Sequence, residues 1–143
     1  MPFKIRAITR HYPTEDPKKI RKALTALLEG EVEQESHGED HFLYVERTDY
    51  KALDKLHEMI RKQKILDVAR KALRNGRVEN STVFFLNKQA AFTGKINFCD
   101  EFGESPLGPI RIEIEDDNLS ELIDWLTPYT KNGVEVKLVS RFP

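Results

Sequence analysis

The apolar residues of this chain change period in an order that few sheet topologies accept. Phe3, Ile5 and Ala7 alternate with Lys4 and Arg6, so residues 3–12 read as a first strand. A helix follows Tyr12-Pro13-Thr14-Glu15-Asp16-Pro17, with Thr14 the expected N-cap and the acids well placed in the first turn. Ile20, Leu24, Leu27 and Leu28 recur at helical spacing, and Gly30 is the expected stop. Residues 31–36 and 41–47 predict a hairpin turning through His37-Gly38-Glu39-Asp40. Further strands are expected at 82–86, 96–99, 110–115 and 134–139. Asn118-Leu119-Ser120-Glu121 resembles a capping box opening a last helix, which turns Leu119, Leu122, Ile123 and Leu126 inward and ends or kinks at Pro128. The order β-α-β-β-α-α-β-β-β-α-β has too many adjacent strands for a doubly wound sheet, whose parallel neighbours need crossovers. It predicts an α+β fold, a mostly antiparallel sheet with helices on one face.

The span 49–75 looks like one long helix, but its phase forbids that. At about 100° per residue, Ala52, Leu53, Leu56, Met59 and Ile60 share one arc, while Ile65, Leu66, Val68, Ala69, Ala72 and Leu73 share another. In a continuous helix the two arcs would face nearly opposite ways. Two helices are therefore expected, with a break near Gln63 and a stop at Asn75-Gly76.

With 143 residues, 39% apolar and 33% charged, the chain can bury a core without staples and is expected to form a single domain over 1–143. The high charged share, with few Met and one Cys, leans towards a thermophilic source. Cys99 alone cannot form an internal disulfide, which points to a reducing cytoplasm. Apolar runs of only a few residues argue against a membrane span, and the N-terminus lacks a signal peptide's apolar block. Self-association is left open.

Net charge is −1, so any affinity for nucleic acid must come from local asymmetry. Between Arg47 and Arg77, ten Lys/Arg face four Asp/Glu, leaving +6 there and −7 elsewhere. On the second central helix Gln63, Lys64, Arg70, Lys71 and Arg74 fill the arc opposite the apolar face, with Asp67 the lone acid. Together with Arg77 they form an electrostatic footprint for phosphates, although such a run also serves as an ordinary solvated face. The loop Asn87–Phe98 adds amides, lysines and rings: Lys88, Gln89, Phe92 and Lys95 could contact RNA, or merely shape a turn ended by Gly94. Phe84 and Phe85 are adjacent in a strand and must point to opposite faces; one is expected in the core, and the other meets a helix or forms an exposed stacking platform.

No motif demands catalysis. His11, His37, His41 and His57 lack the spacing of a metal site, so no metal is expected. Cys99 has no glycine-rich elbow and no evident base, and reads as a small strand thiol. With no phosphate loop or dinucleotide fingerprint, no cofactor is expected, and the chain is read as a non-enzyme.

Four segments carry a resemblance. Thr14-Glu15-Asp16, Gln63-Lys64-Ile65-Leu66-Asp67-Val68-Ala69-Arg70, Leu86-Asn87-Lys88-Gln89-Ala90-Ala91-Phe92-Thr93-Gly94-Lys95 and Glu104-Ser105-Pro106-Leu107-Gly108-Pro109-Ile110 look like the motifs of an archaeal uncharacterised-protein family. The similarity spans essentially the whole chain. It implies a fold like that of the large-subunit ribosomal protein that binds 5S RNA, and RNA as partner by that analogy. It supplies no catalytic residues. The leading expectation is an RNA-binding domain using the basic helix and the Lys88–Lys95 loop; the rival is a structural or protein-interaction module.

Overall fold

Strict alternation in four strands builds the sheet on which everything else rests. In the computed structural model, which describes residues 2–101, 107–131 and 134–135, β1 (Lys4–His11) lies centrally. It pairs antiparallel with β3 (Asp40–Arg47) on one side and β7 (Ile110–Glu115) on the other. β2 (Glu33–His37) closes one edge against β3, and β5 (Ser81–Leu86) pairs with β7. Short β4 (Arg77–Val78) and β6 (Phe98–Cys99) pair with the two ends of β5. Every pairing is antiparallel, as the strand order predicts.

One face of this sheet carries Ile5, Ala7, Leu43, Val45, Phe84, Leu86, Ile112 and Ile114, all buried. The helices α1 (Pro17–Leu27), α2 (Asp54–Lys62), α3 (Leu66–Asn75) and α5 (Leu119–Leu126) pack onto it through Leu24, Leu56, Ile60, Leu73 and Leu122. A one-residue slip of β7 would turn Ile110, Ile112 and Ile114 outward. That would forfeit roughly 5 kcal/mol of burial, which fixes the register. Among the described residues no helix covers the opposite face, where Arg6, Ile8, Phe42, Tyr44, Phe85 and Arg111 are half-buried.

The break in the central span occurs where the phase conflict requires it. Gln63 ends α2, and Lys64 adopts a left-handed φ of 57° before α3 begins. Such a conformation costs a non-glycine residue about 1 kcal/mol. A clamp offsets it: Gln63 Nε2 donates to Ile96 O at 2.9 Å, and its Oε1 accepts from Ile96 N at 2.7 Å. Gly76 ends α3 at φ −86°, so its role is not the expected left-handed cap. A Cβ there would lie 1.9 Å from Val83 O, so glycine is required for the close approach of α3 to β5.

Three local expectations are corrected, and a fourth falls only partly within the described residues. Asp16, not Thr14, caps α1, accepting from Lys18 N at 3.0 Å. Asn118 makes no side-chain cap; Asp116 Oδ1 instead accepts from Asn118 N, while its Oδ2 accepts from Tyr50. Burial, with Asp116 beside it, pushes the Tyr50 hydroxyl up to about 12. The strand expected at 96–99 shortens to Phe98–Cys99, because the Gln63 clamp takes the Ile96 backbone out of the ladder. Of the closing strand expected at 134–139, Val134–Glu135 forms β9 and pairs with β8 (Thr130–Lys131) in a separate ribbon. The rest of that segment, like Glu104-Ser105-Pro106, lies outside the described residues.

Candidate nucleic-acid interface

The Lys88–Lys95 segment folds as a short helix, α4 (Lys88–Phe92), capped by Asn87, whose Oδ1 accepts from Ala90 N. This cap directs Lys88 inward, where only 5% of it stays exposed. Its Nζ donates to Leu107 O at 2.7 Å, to Arg10 O at 2.8 Å and to the Glu15 carboxylate at 3.1 and 3.2 Å. An ammonium has three donors, and all are engaged. Burial pushes the Lys88 pKa down, and Glu15 pulls it partly back. Lys88 thus ties the Thr14–Asp16 segment to Leu107, with its ammonium turned inward rather than towards a ligand in solvent. Phe92 is half-buried against the core, with Lys22 Nζ 4.8 Å from its ring centre. Gln89 and Lys95 are exposed.

The basic residues of α3 divide in the same way. Arg70 is buried: it donates to Thr127 O at 2.9 Å, pairs with Asp124 at 2.9 Å and stacks 3.6 Å from the Tyr129 ring centre. It joins α3 to the end of α5 and cannot reach a ligand without breaking that joint. Arg77 is exposed but donates to Glu79 O and Ser120 Oγ, both at 2.8 Å. Lys64, Lys71 and Arg74 are exposed, with no ion-pair partner among the described residues. Lys71 and Arg74 lie about 60° apart around the α3 axis, so both charges project from one flank.

Lys71 stands on the lip of a groove of about 680 Å³ between α3 and the β5–β6 edge. Val68 and Asn75 share its lip; Asn97, Phe98 and Cys99 form the facing wall, and Phe85 lies at one end. The Phe98 ring packs 5.8 Å from Phe84, which fixes its position. Burial, then Asp100, raises the Cys99 pKa, which favours the thiol over the thiolate. Among the described residues no cluster of three His, Cys, Asp or Glu could hold a metal ion.

A second hollow, of about 570 Å³, lies on the open sheet face and meets the groove at Phe85, Glu101, Gly108 and Pro109. Ile8, Phe42 and Phe85 line its apolar part, and Arg6, Arg10 and Arg111 surround them. Arg111 bonds Glu113 at 2.6 Å and lies 5.8 Å from the Phe85 ring centre; Arg6 bonds Glu35 and lies 4.6 Å from that of Tyr44. The His37 hydrogen bond, with Arg6 beside it, holds Glu35 below the usual carboxylate range.

Neither Asn75 and Asn97 nor the sheet-face arginines stand out by composition. One signal did exist: Arg6, Ile8, Arg10, Phe42, Tyr44, Phe85 and Arg111 occupy the strand phase that should be merely polar. Rings and arginines in that phase mark a face that is not simply solvated.

A family model described as RNA binding matches residues 4–115. A UPF0201 protein of Sulfurisphaera tokodaii is 44% identical over 123 residues, covering 85% of each chain. Another, from Pyrococcus abyssi, is 41% identical over 127 residues, covering 88% of this chain and 90% of its own. The crystal structure of a UPF0201 protein from Methanococcus jannaschii superposes with a TM-score of 0.82 at 32% identity, covering 94% of this chain and 99% of that one. A DUF54 protein from Methanothermobacter thermautotrophicus shares the fold alone, with a TM-score of 0.61 at 21% identity over 87% of this chain and 96% of its own. The mostly antiparallel sheet with its helices is therefore a shared architecture, and the chain is a member of the UPF0201 family.

Proposed function

We propose that this protein binds RNA through the groove between α3 and the β5–β6 edge, and that it performs no chemistry on it. The carrying observation is the lip itself: the exposed cation of Lys71, without an ion-pair partner among the described residues, beside the Asn75 amide and across from Asn97 and Phe98. Such a set meets the requirements of RNA in order. Lysine and arginine take phosphates, amides read hydroxyls and base edges, and rings stack. The family description supports the same partner. This reading includes a fold like that of the 5S-RNA-binding ribosomal protein and a cytoplasmic location. No described helix is long and apolar enough to cross a membrane.

The contact set differs from the one the motifs suggest. Lys71 and Arg74 carry the charge, whereas Lys88 and Arg70 hold the frame. Lys71→Ala with Arg74→Ala should weaken binding to structured RNA and flatten the log–log salt dependence by roughly 1.5 to 2 units, close to one per lost phosphate contact. Fluorescence anisotropy across a salt series measures both. An unchanged slope with a folded double variant would sink this site; absence of any RNA binding would favour a protein-interaction module.

A further inference from the structure

The hollow on the open sheet face is not needed to hold phosphates, because its arginines are already matched. Arg111 is tied to Glu113, Arg6 to Glu35, and Arg10 to Asp40 at 2.6 Å. What it offers instead is a flat apolar floor with paired donors and acceptors around it. Tyr44, Ile8, Arg111 and Phe85 stand opposite one another across four neighbouring strands, a row about 14 Å long at the usual strand spacing. A ring or a guanidinium plane caps each half of the row, and both stack well on nucleobases.

Resting on the RNA-binding reading above, we infer that this hollow takes an unpaired base of the bound RNA, with guanine preferred. Three observations carry it. At about 570 Å³ the hollow is the size of a small-ligand site, which admits one extruded nucleotide and excludes a base pair still stacked in a duplex. It joins the groove at Phe85, so a strand whose phosphates lie near Lys71 can deliver its next base there. Its polar rim alternates in sign: Glu35 and Glu113 accept, while Arg10 and Arg111 donate. Guanine alone presents adjacent ring and amino donors on one edge and two acceptors on another, matching a carboxylate and an arginine at once. Uracil has no amino group to offer the carboxylates. The acids also disfavour a purely electrostatic occupant, since free phosphate would meet Glu35, Glu101 and Glu113.

Short labelled single-stranded RNAs test this: an all-uridine strand, the same strand with one central guanosine, and that strand annealed to its complement. Anisotropy titrations of the full chain should show about tenfold tighter binding of the guanosine strand than of either competitor, within the range of one good base contact. Phe85→Ala, where the hollow meets the groove, should erase that preference, and the residual, salt-sensitive binding is read on Phe42→Ala. Phe42→Ala repeats the test on the other side of the floor, and thermal melts establish that each variant is folded. Lys71→Ala should weaken all three RNAs alike. Equal binding of single strand and duplex, or a guanosine preference that survives both phenylalanine variants, would overturn the inference and leave RNA binding at α3 standing. Loss of all RNA binding in the unaltered protein would overturn both. A concentration-dependent dimer that Phe85→Ala dissolves would assign the face to a second copy instead.

Discussion

Arg70 and Lys71 are neighbours in α3, as Lys88 and Gln89 are in α4, and in each pair one side chain is buried and the other exposed. The two helices use this contrast in opposite ways. In α3 the buried cation closes the joint to α5, while the exposed cation stands at a groove with no ion-pair partner among the described residues. In α4 the buried cation is the anchor of the whole loop, and the exposed residue next to it is only an amide. A cation in a recurring motif is therefore as apt to be an anchor as a contact. The distinction rests on whether the fold brings carbonyls and carboxylates to it. For Lys88 it brings Arg10 O, Leu107 O and Glu15; for Lys71 it brings no partner among the described residues.

The sharpest way to break this contrast is at Lys88. Lys88→Met leaves the Glu15 carboxylate, itself only 8% exposed, buried beside an apolar chain. Removing one partner of a buried pair costs about 3 kcal/mol or more, far beyond an ordinary surface change. Denaturant titration should show that loss, while RNA affinity of the folded fraction stays near that of the unaltered protein. Adding Glu15→Gln should recover part of the stability, because the uncompensated charge is gone. A stable Lys88→Met protein with weakened RNA binding would reverse the assignment of Lys88 from anchor to contact.

A smaller effect is expected within α3. Arg70→Met deletes the donor to Thr127 O and the partner of Asp124, for a loss of about 2 kcal/mol. Lys71→Ala, one residue away, should change stability by no more than about 0.5 kcal/mol. RNA affinity should respond in the reverse order. If the two variants affected stability equally, the division of α3 into a joint and a lip would fail.

How far the chain reveals this beforehand depends on the range of the interaction. The antiparallel sheet was readable because alternation at Ile5, Ala7, Ile112 and Ile114 is a local property, and so was the break at Gln63, a conflict of phase between neighbouring segments. The fate of the cations was not. Lys88 meets Glu15 across 73 positions and Arg70 meets Thr127 across 57, and no local pattern distinguishes an anchored lysine from a free one. The open sheet face lay between these extremes. Phe84 and Phe85 had to diverge, and Phe85 emerges on the open face, but only the register places it opposite Arg111 and next to the groove.

The helical layer also half-buries a group that gains a positive charge only in mild acid. His57 stacks on Trp125 with ring centres 4.4 Å apart, and burial lowers its pKa below the ordinary 6.5; Arg61 repels the imidazolium further, while Glu135 and Asp54 pull the other way. The folded protein therefore resists this proton more than the unfolded chain does. As pH falls through 6.5 the unfolded state takes up the proton first, so stability declines until the lower folded pKa is passed. Because the ring is only half-buried, the decline attributable to His57 should stay under about 1 kcal/mol after solvent screening. His57→Gln should flatten that part of the stability–pH profile between neutral and mildly acidic conditions, even though it also removes the ring stack at every pH. The free energy of unfolding, followed by denaturant titration at several pH values on both proteins, separates the slope from the constant offset. An identical slope in the variant would mean that another group titrates there. Lys88 and Arg70 would then remain the sites where the interior's treatment of a cation is read from stability.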